Sequence, residues 1–212
     1  MIGKICRGRF EKCLGPVGSV DVMEGTMDLK EAIYNRRAVR NFTTETVSEN
    51  VLRQLIDAAI QAPSAVNQQS WTFSIVRNRD LLARISREAK AYMLRTSPAA
   101  LASPHFQELL GNPEFDIFYH APVLIVISAQ AESPWVVEDC ALAAENMMLT
   151  ACAAGLGACW IGFAQAWLGT PEGKATLKLP DSSKPVAPII VGHPKSPAPA
   201  VPRNEPKINW VA

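Results

Sequence analysis

The pattern of this 212-residue chain predicts an α+β fold, a mixed central sheet flanked by helices. Three observations carry that expectation. Stretches with helical periodicity and stretches with strand character intermix without settling into regular βα units. No Gly-rich phosphate loop follows the first strand, which argues against a doubly wound dinucleotide fold. Residues 123–127 are an unbroken apolar run, as expected of a strand covered on both faces.

Taken in order, Asp28 with Glu31 three residues on is a capping-box pattern. It opens a helix to about Arg37, with Leu29, Ala32 and Ile33 as its apolar stripe. Ser48 caps a second helix, in which Val51, Leu52, Leu55, Ile56, Ala59 and Ile60 keep helical spacing. Pro63 stops it, because the residue before a proline leaves the α region. Residues 63–70 are a polar loop. Residues 71–76 are aromatic and β-branched and read as a strand. After a turn, residues 81–94 form a helix with Leu82, Ile85 and Ala89 on one side. From 96 to 116 the pattern fails, broken by Pro98, Pro104, Gly111 and Pro113. Irregular segments of that length are commonly lids or binding segments.

Ser133-Pro134 reads as an N-cap with proline at the first helical position. The helix runs to Ala154 and Gly155 ends it. It is apolar nearly all round, with Trp135, Val136, Val137, Cys140, Leu142, Met147, Met148, Leu149 and Cys152, so it is a buried helix. A chain this short does not comfortably bury so long a helix in one subunit, which points to an interface. Residues 157–163 are a strand ending in a glycine loop. Gly155-x-Gly157 falls at a helix end and is no nucleotide fingerprint. Thr170-Pro171 caps a short helix to about Lys178. Residues 185–191 are another apolar strand, and Pro188 places it at an edge or bulge. Five prolines after Gly192 predict an extended arm, anchored on a surface by Trp210.

Bulk composition narrows the class. Hydrophobic residues make up 48%, enough for a sizeable core, and the net charge of +1 provides no basic surface for nucleic acid. Cys6, Cys13, Cys140, Cys152 and Cys159 form no C-x-x-C pair, and only three histidines accompany them, so no zinc site is expected. Scattered thiols suit a reducing cytoplasm. No apolar run is long enough to span a membrane. Residues 1–26 are expected to be an N-terminal extension, 27–193 the domain, and 194–212 a proline-rich arm; Met23 and Met27 are both candidate starts.

The stretch that concentrates chemistry is Arg36-Arg37-Ala38-Val39-Arg40. A helix would put Arg36 and Arg40 on one face. Planar guanidinium forks suit phosphate. On these residues alone the plainer reading is favoured: a solvated basic helix end whose charges offset the helix dipole.

Four segments in register resemble the nitroreductase family of flavin enzymes: residues 36–40, residues 62–71, residues 155–163, and 191–194 with Arg203 downstream. The resemblance spans residues 27–203. It implies an α+β sandwich that forms an intertwined homodimer through a long central helix, with FMN at the dimer interface. It implies phosphate binding by Arg36, with Arg37, Ala38, Arg40 and Arg203 beside it. Asn67 and Gln69 match amides on the flavin ring or ribityl chain, and Pro63 and Ser64 match residues lining the ring from the partner subunit. Ile161 and Gly162 match backbone N–H groups that face the flavin, where donors stabilise charge on the reduced ring. By the residues alone, Asn67 and Gln69 serve equally as turn caps, Arg203 as a solvated tail charge, and Gly162 as a bend. The chain departs from the family at Ala38, where serine is common, at Ser70, where proline is usual, at Ile161, which replaces an acid of some members, and at Val201, where some have lysine. These departures bear on how tightly FMN binds. The implied activity is ping-pong hydride transfer from NADH or NADPH to a small-molecule oxidant such as a nitroaromatic or quinone. Reductive dehalogenation, flavin breakdown, or a non-catalytic flavin-binding dimer are the alternatives. No side-chain acid or base is required, so no catalytic residue is named.

Overall fold

The computed structural model describes residues 27–97, 102–130 and 134–211; the expected N-terminal extension and the Ser133 cap lie outside the described residues. Four strands, β1 (Trp71–Val76), β2 (Val123–Ala129), β3 (Gly157–Trp160) and β4 (Lys184–Gly192), make one sheet in the order β1-β2-β4-β3. Every strand pair is antiparallel. The mixed character expected of the sheet is confined to an isolated parallel bridge between Ala38 and Ala158.

β2 is buried at all seven positions, as its apolar run requires. β4 is also interior, which rules out the edge half of the edge-or-bulge expectation for Pro188. Pro188 sits opposite Val126, and the register shift of this pair falls nearby, between Ile127 and Ser128. The Pro188 carbonyl accepts the Ile161 N–H at 2.7 Å on the β3 side. In a strand the N–H and C=O of one residue point to the same side, so the missing donor of Pro188 faces the end of β3. There the Ile161 carbonyl has turned away to accept the Ala164 N–H at 3.2 Å. The proline is tolerated because the partner strand ends where its N–H would be needed.

Helices cover both faces. They are α1 (Leu29–Asn35), α2 (Glu49–Ala59), α3 (Arg79–Thr96), α4 (Pro104–Gly111), α5 (Val136–Ala153), α6 (Gly162–Leu168) and α7 (Pro171–Thr176). Leu52 and Leu55 of α2 and Cys140, Ala143, Met147 and Ala151 of α5 pack on Ile125, Ile127, Ile189 and Val191. Ile85 and Ala89 of α3 and Trp167 and Leu168 of α6 pack on Leu124, Val126 and Ile190 of the opposite face. Alternate residues of β2 and β4 thus feed two cores.

The caps at Asp28 and Ser48 form as expected, with both legs of the α1 capping box present. α4 and α6 were not expected. α4 had a signal within the irregular segment: Ser103 caps it and Pro104 follows at the first turn. β3 stops at Trp160 and the chain enters α6 at Gly162, so the expected seven-residue strand is four residues long. α5 begins at Val136, with Trp135 as its N-cap and Pro134 in the turn before it. It ends at Ala153 with Ala154 as its C-cap; Gly155 then takes φ 71° and the Leu156 N–H donates to Ala151 O at 2.8 Å. Its inner face is buried, while Leu142 on its outer face is 47% exposed in the single chain.

Candidate active site

α1 ends at Asn35, so the arginines do not share a helix face. Arg36 leaves the helix at φ −56°, ψ 130°. The next residues run extended beside β3: Ala38 bridges Ala158, and the Val39 N–H donates to Ala158 O at 3.1 Å. Gly157 permits this approach, since a Cβ there would lie 2.7 Å from the Cβ and Cγ1 of Val39. Buried Phe42 closes the segment over Gly192, and the Thr43 N–H donates to His193 O at 2.8 Å. The main chain is therefore pinned at both ends; Ala38 and Arg40 are exposed, while Arg36, Arg37 and Val39 are half-buried.

The three arginines have different partners. Arg36 pairs with Glu145 of α5 at 3.4 Å, a half-exposed contact. Arg37 donates from Nη1 to the carbonyls of Tyr34 and Arg36, at 2.7 and 2.8 Å, and so caps α1. Its Nε is buried without a partner. Arg40 lies over the Tyr119 ring, its Cζ 5.9 Å from the centroid. Burial raises the Cys159 thiol pKa, and the charges of Arg40 and then Arg36 oppose that rise. Arg36, Arg37 and Val39 line a cavity of about 500 Å³ with Met148 and Cys152 of α5 and Pro194, Pro197 and Ala198 of the C-terminal segment. Ala38 is exposed beside it. Arg203 is exposed and makes no ion pair or hydrogen bond among the described residues, so the single chain does not join it to the other arginines.

The second element is the loop 63–70. Val66, Asn67 and Gln69 adopt φ of 46°, 55° and 49°, a region costly for residues with a side chain. Three side-chain contacts hold it. The Gln69 N–H donates to Ser64 Oγ at 3.0 Å, and Gln69 Nε2 donates to Asn67 Oδ1 at 2.8 Å. The Ala65 N–H donates to Asp139 Oδ1 at 2.9 Å, across 74 residues of sequence. Asp139 is 3% exposed, and its other oxygen has no partner. The amides of Asn67 and Gln69 remain exposed, as does Pro63.

The third element is the turn from β3 into α6. Because the Ile161 N–H is spent on Pro188 O, the donors left at this turn are those of Gly162 and Phe163, which lack intrahelical acceptors. A Cβ on Gly162 would meet nothing within 4 Å, so the space before it is open. Arg36 to Arg40 run parallel to β3 with Ala38 opposite Ala158, so Arg40 lies at the end of the segment toward Gly162 and Arg36 at the far end. The loop 63–70 is farther away. It is tied to the first turn of α5 through Asp139, whereas the arginine cavity adjoins Cys152 in the last turn, about 20 Å along the helix.

Comparison with known proteins decides the relationship. Residues 33–193 match the family model described as the nitroreductase family. The chain belongs to the nitroreductase family. A Methanothermobacter thermautotrophicus protein named as an NADH dehydrogenase/NAD(P)H nitroreductase is 30% identical over 177 residues, 82% of each chain. An iodotyrosine deiodinase of Thermotoga neapolitana is 26% identical over 84% of this chain and 94% of its own. The crystal structure of a Bacteroides fragilis nitroreductase with bound FMN superposes with TM-score 0.76 at 26% identity, covering 88% of this chain and all of that one.

Within this nitroreductase-family chain, sequence reasoning missed Asp139, Glu145 and Tyr119. Asp139 had a signal, as an acid among the apolar residues of α5. Tyr119 had none, because no periodicity marks the turn that holds it.

Proposed function

We propose that the chain is an FMN-dependent oxidoreductase that takes hydride from NADH or NADPH and passes it to an electron-poor acceptor such as a nitroaromatic or quinone. The observation that carries this reading is the arginine segment laid along β3 toward the free N–H groups at Gly162. One end offers guanidinium groups to a phosphate, and the other offers uncommitted donors to a polar ring edge. FMN, when bound, supplies the reversible hydride chemistry. The chain's own residues bind and orient it. Arg36 neutralises the phosphate, and Arg40 lies toward the Gly162 end. Gly162 gives the ring close access to backbone. Asn67 and Gln69, on a strained loop that Asp139 fixes, present amides.

These parts belong together only across two chains. The loop and the arginine cavity lie at opposite ends of α5, so antiparallel packing of two α5 helices would bring the loop of one protomer to the arginines of its partner. The apolar residues exposed in the single chain, Leu142 on α5, Ile33 on α1 and Trp210 in the arm, suit burial in such a homodimer. Arg203, on the same arm, would reach the phosphate by that route.

The test is an anaerobic titration of the FMN-loaded protein with NADH and with NADPH, followed by a panel of oxidants that includes halogenated phenols. Bleaching at 450 nm followed by reoxidation supports the proposal. Protein that takes up no FMN overturns it. Protein that binds FMN but is not bleached is a carrier. Similarity to the deiodinase supports a second reading, reductive dehalogenation, which release of halide in the same panel distinguishes.

A further inference from the structure

We infer that Phe106 of α4 is a specificity-determining residue that, with Phe163, forms an aromatic wall beside the flavin ring and selects planar aromatic acceptors. This inference rests on the flavin reading above and names the residue that sorts its acceptors. It gives a role to the irregular stretch from 96 to 116, whose length and broken pattern are those of a binding segment. Residues 103–119 meet the proposed site at two places. Phe106 packs edge to face on Phe163, with centroids 6.1 Å apart and planes at 83°. Farther along, the Arg40 guanidinium lies over the Tyr119 ring, 5.9 Å from its centroid. Phe163 directly follows Gly162, and Arg40 lies at the Gly162 end of the arginine segment. Both contacts therefore fall at the end of the site proposed for the flavin ring.

The wall is held from behind. Ser103 caps α4, its Oγ accepting the Phe106 N–H at 3.4 Å, so Phe106 sits in the first turn. Leu110 of the same helix is buried in the second core, against which Phe163 also packs. At the other end of α4, the buried Lys90 of α3 donates Nζ to Asn112 O at 2.9 Å and to Phe115 O. Phe115 in turn meets Tyr119 edge to face, with centroids 5.8 Å apart and planes at 79°. These contacts fix the helix and the turn after it. Phe106 itself stays 36% exposed, and the exposed His105 ring lies beside it, 5.9 Å between centroids.

Phe163 covers only part of the Phe106 ring, and the apolar surface left over gains by being covered further. The space before Gly162 is open, so a ligand seated there is next to the wall. A flat π-system gains from edge or offset contact with such a ring, beyond the area it buries, and a puckered saturated ring does not. If Phe106 only shielded the second core, its loss would lower stability and treat flat and puckered ligands alike.

The experiment is equilibrium dialysis of the full-length, oxidised, FMN-loaded protein against nitrobenzene and against nitrocyclohexane, which carries the same nitro group on a saturated ring. The wild-type chain should bind nitrobenzene more tightly. Phe106→Leu, which keeps an apolar side chain without a π face, should weaken nitrobenzene about two- to tenfold and nitrocyclohexane less than about twofold. Phe106→Tyr should keep the preference. FMN affinity should stay within about twofold of wild type in both variants. A wild-type chain that binds the two ligands equally, equal losses for both in Phe106→Leu, or loss of the preference in Phe106→Tyr would overturn the inference while leaving the flavin reading in place. Failure of the wild-type chain to bind FMN would reject the flavin reading and this inference with it.

Discussion

Gly157→Ala tests whether the arginine segment is positioned by its fit against β3. A Cβ at Gly157 would lie 2.7 Å from Val39 Cβ, 2.7 Å from Cγ1 and 2.9 Å from Cγ2. Carbon atoms rest at about 3.5–4.0 Å, so about 1 Å must be found. It cannot come from the sheet, because Gly157 pairs with Gly192 and Ala158 with Val191 of interior β4. The movable side is the segment itself, held against β3 by the hydrogen bond from the Val39 N–H to Ala158 O at 3.1 Å and tied farther along by the Thr43 N–H to His193 O at 2.8 Å. Overpacking of this kind costs about 1–3 kcal/mol, and each kcal/mol lowers Tm by about 2–4 °C in a chain of this size. Thermal unfolding should therefore show a drop of roughly 2–12 °C. The cofactor readout should move too, as Arg36 and Arg40 lift away from β3. The partner substitution sharpens the test. Val39→Ala keeps the Cβ that clashes and should not rescue Gly157→Ala, whereas Val39→Gly removes every atom in the clash. A double-mutant cycle should give a coupling of about 0.5–3 kcal/mol for the Gly pair. A neutral Gly157→Ala, or equal rescue by Val39→Ala and Val39→Gly, would refute the argument.

Other expectations follow from single contacts. Arg36→Ala should weaken FMN binding at least tenfold by titration, because a charge-assisted partner of the phosphate is lost. Glu145→Gln should tighten it severalfold, because Arg36 no longer has a competing carboxylate. Asp139→Ala should cost about 1–3 kcal/mol in urea unfolding and raise proteolysis in the loop 63–70, with Asp139→Asn milder since an acceptor for the Ala65 N–H remains. Burial pushes the Cys140 thiol up from its ordinary 9.0 to about 12. Between those values the unfolded chain releases a proton that the native chain keeps, so stability should fall as pH rises through this window. Cys140→Ala should flatten that fall in denaturant titrations, and mass spectrometry after iodoacetamide at pH 8 should find Cys140 unmodified until the protein unfolds. Leu142→Glu should convert a dimer to monomer in sedimentation velocity and abolish FMN uptake with it; a monomer that still binds FMN tightly would remove the shared site.

Much of the fold was legible because local chemistry and tertiary demand agree. The caps at Asp28, Ser48 and Thr170 are side chains that satisfy nearby backbone donors, and such signals do not depend on the rest of the chain. β2 was legible because burial on both faces leaves no polar alternation. The misreadings occur where a distant neighbour decides. Pro188 reads as an edge or bulge residue until β3 is known to stop beside it. Arg36 and Arg40 read as one helix face until Ala158 draws the chain into an extended run. α6 was invisible because residues 157–163 read as strand, whereas the strand ends at Trp160, where Pro188 has no N–H to offer and the Ile161 carbonyl turns to accept the Ala164 N–H. The candidate residues were found by resemblance, but their separate partners were not, since nothing local pairs residue 36 with 145 or 40 with 119.

The position of Asp139 links the two halves of the proposed site. It lies in the first turn of α5, facing inward at 3% exposure, and holds the loop whose amides face outward. The last turn of the same helix adjoins the arginine cavity. One helix of 18 residues thus fixes the distance between the loop proposed to face the ring and the cavity proposed to face the phosphate. In a single chain that distance is too long for one ligand to meet both. Against an antiparallel copy the same length becomes the register that brings each loop over the other chain's arginines. On this argument the helix sets the geometry of two equivalent sites at once. An insertion of one turn in α5 should then disable both without touching any residue that binds the cofactor.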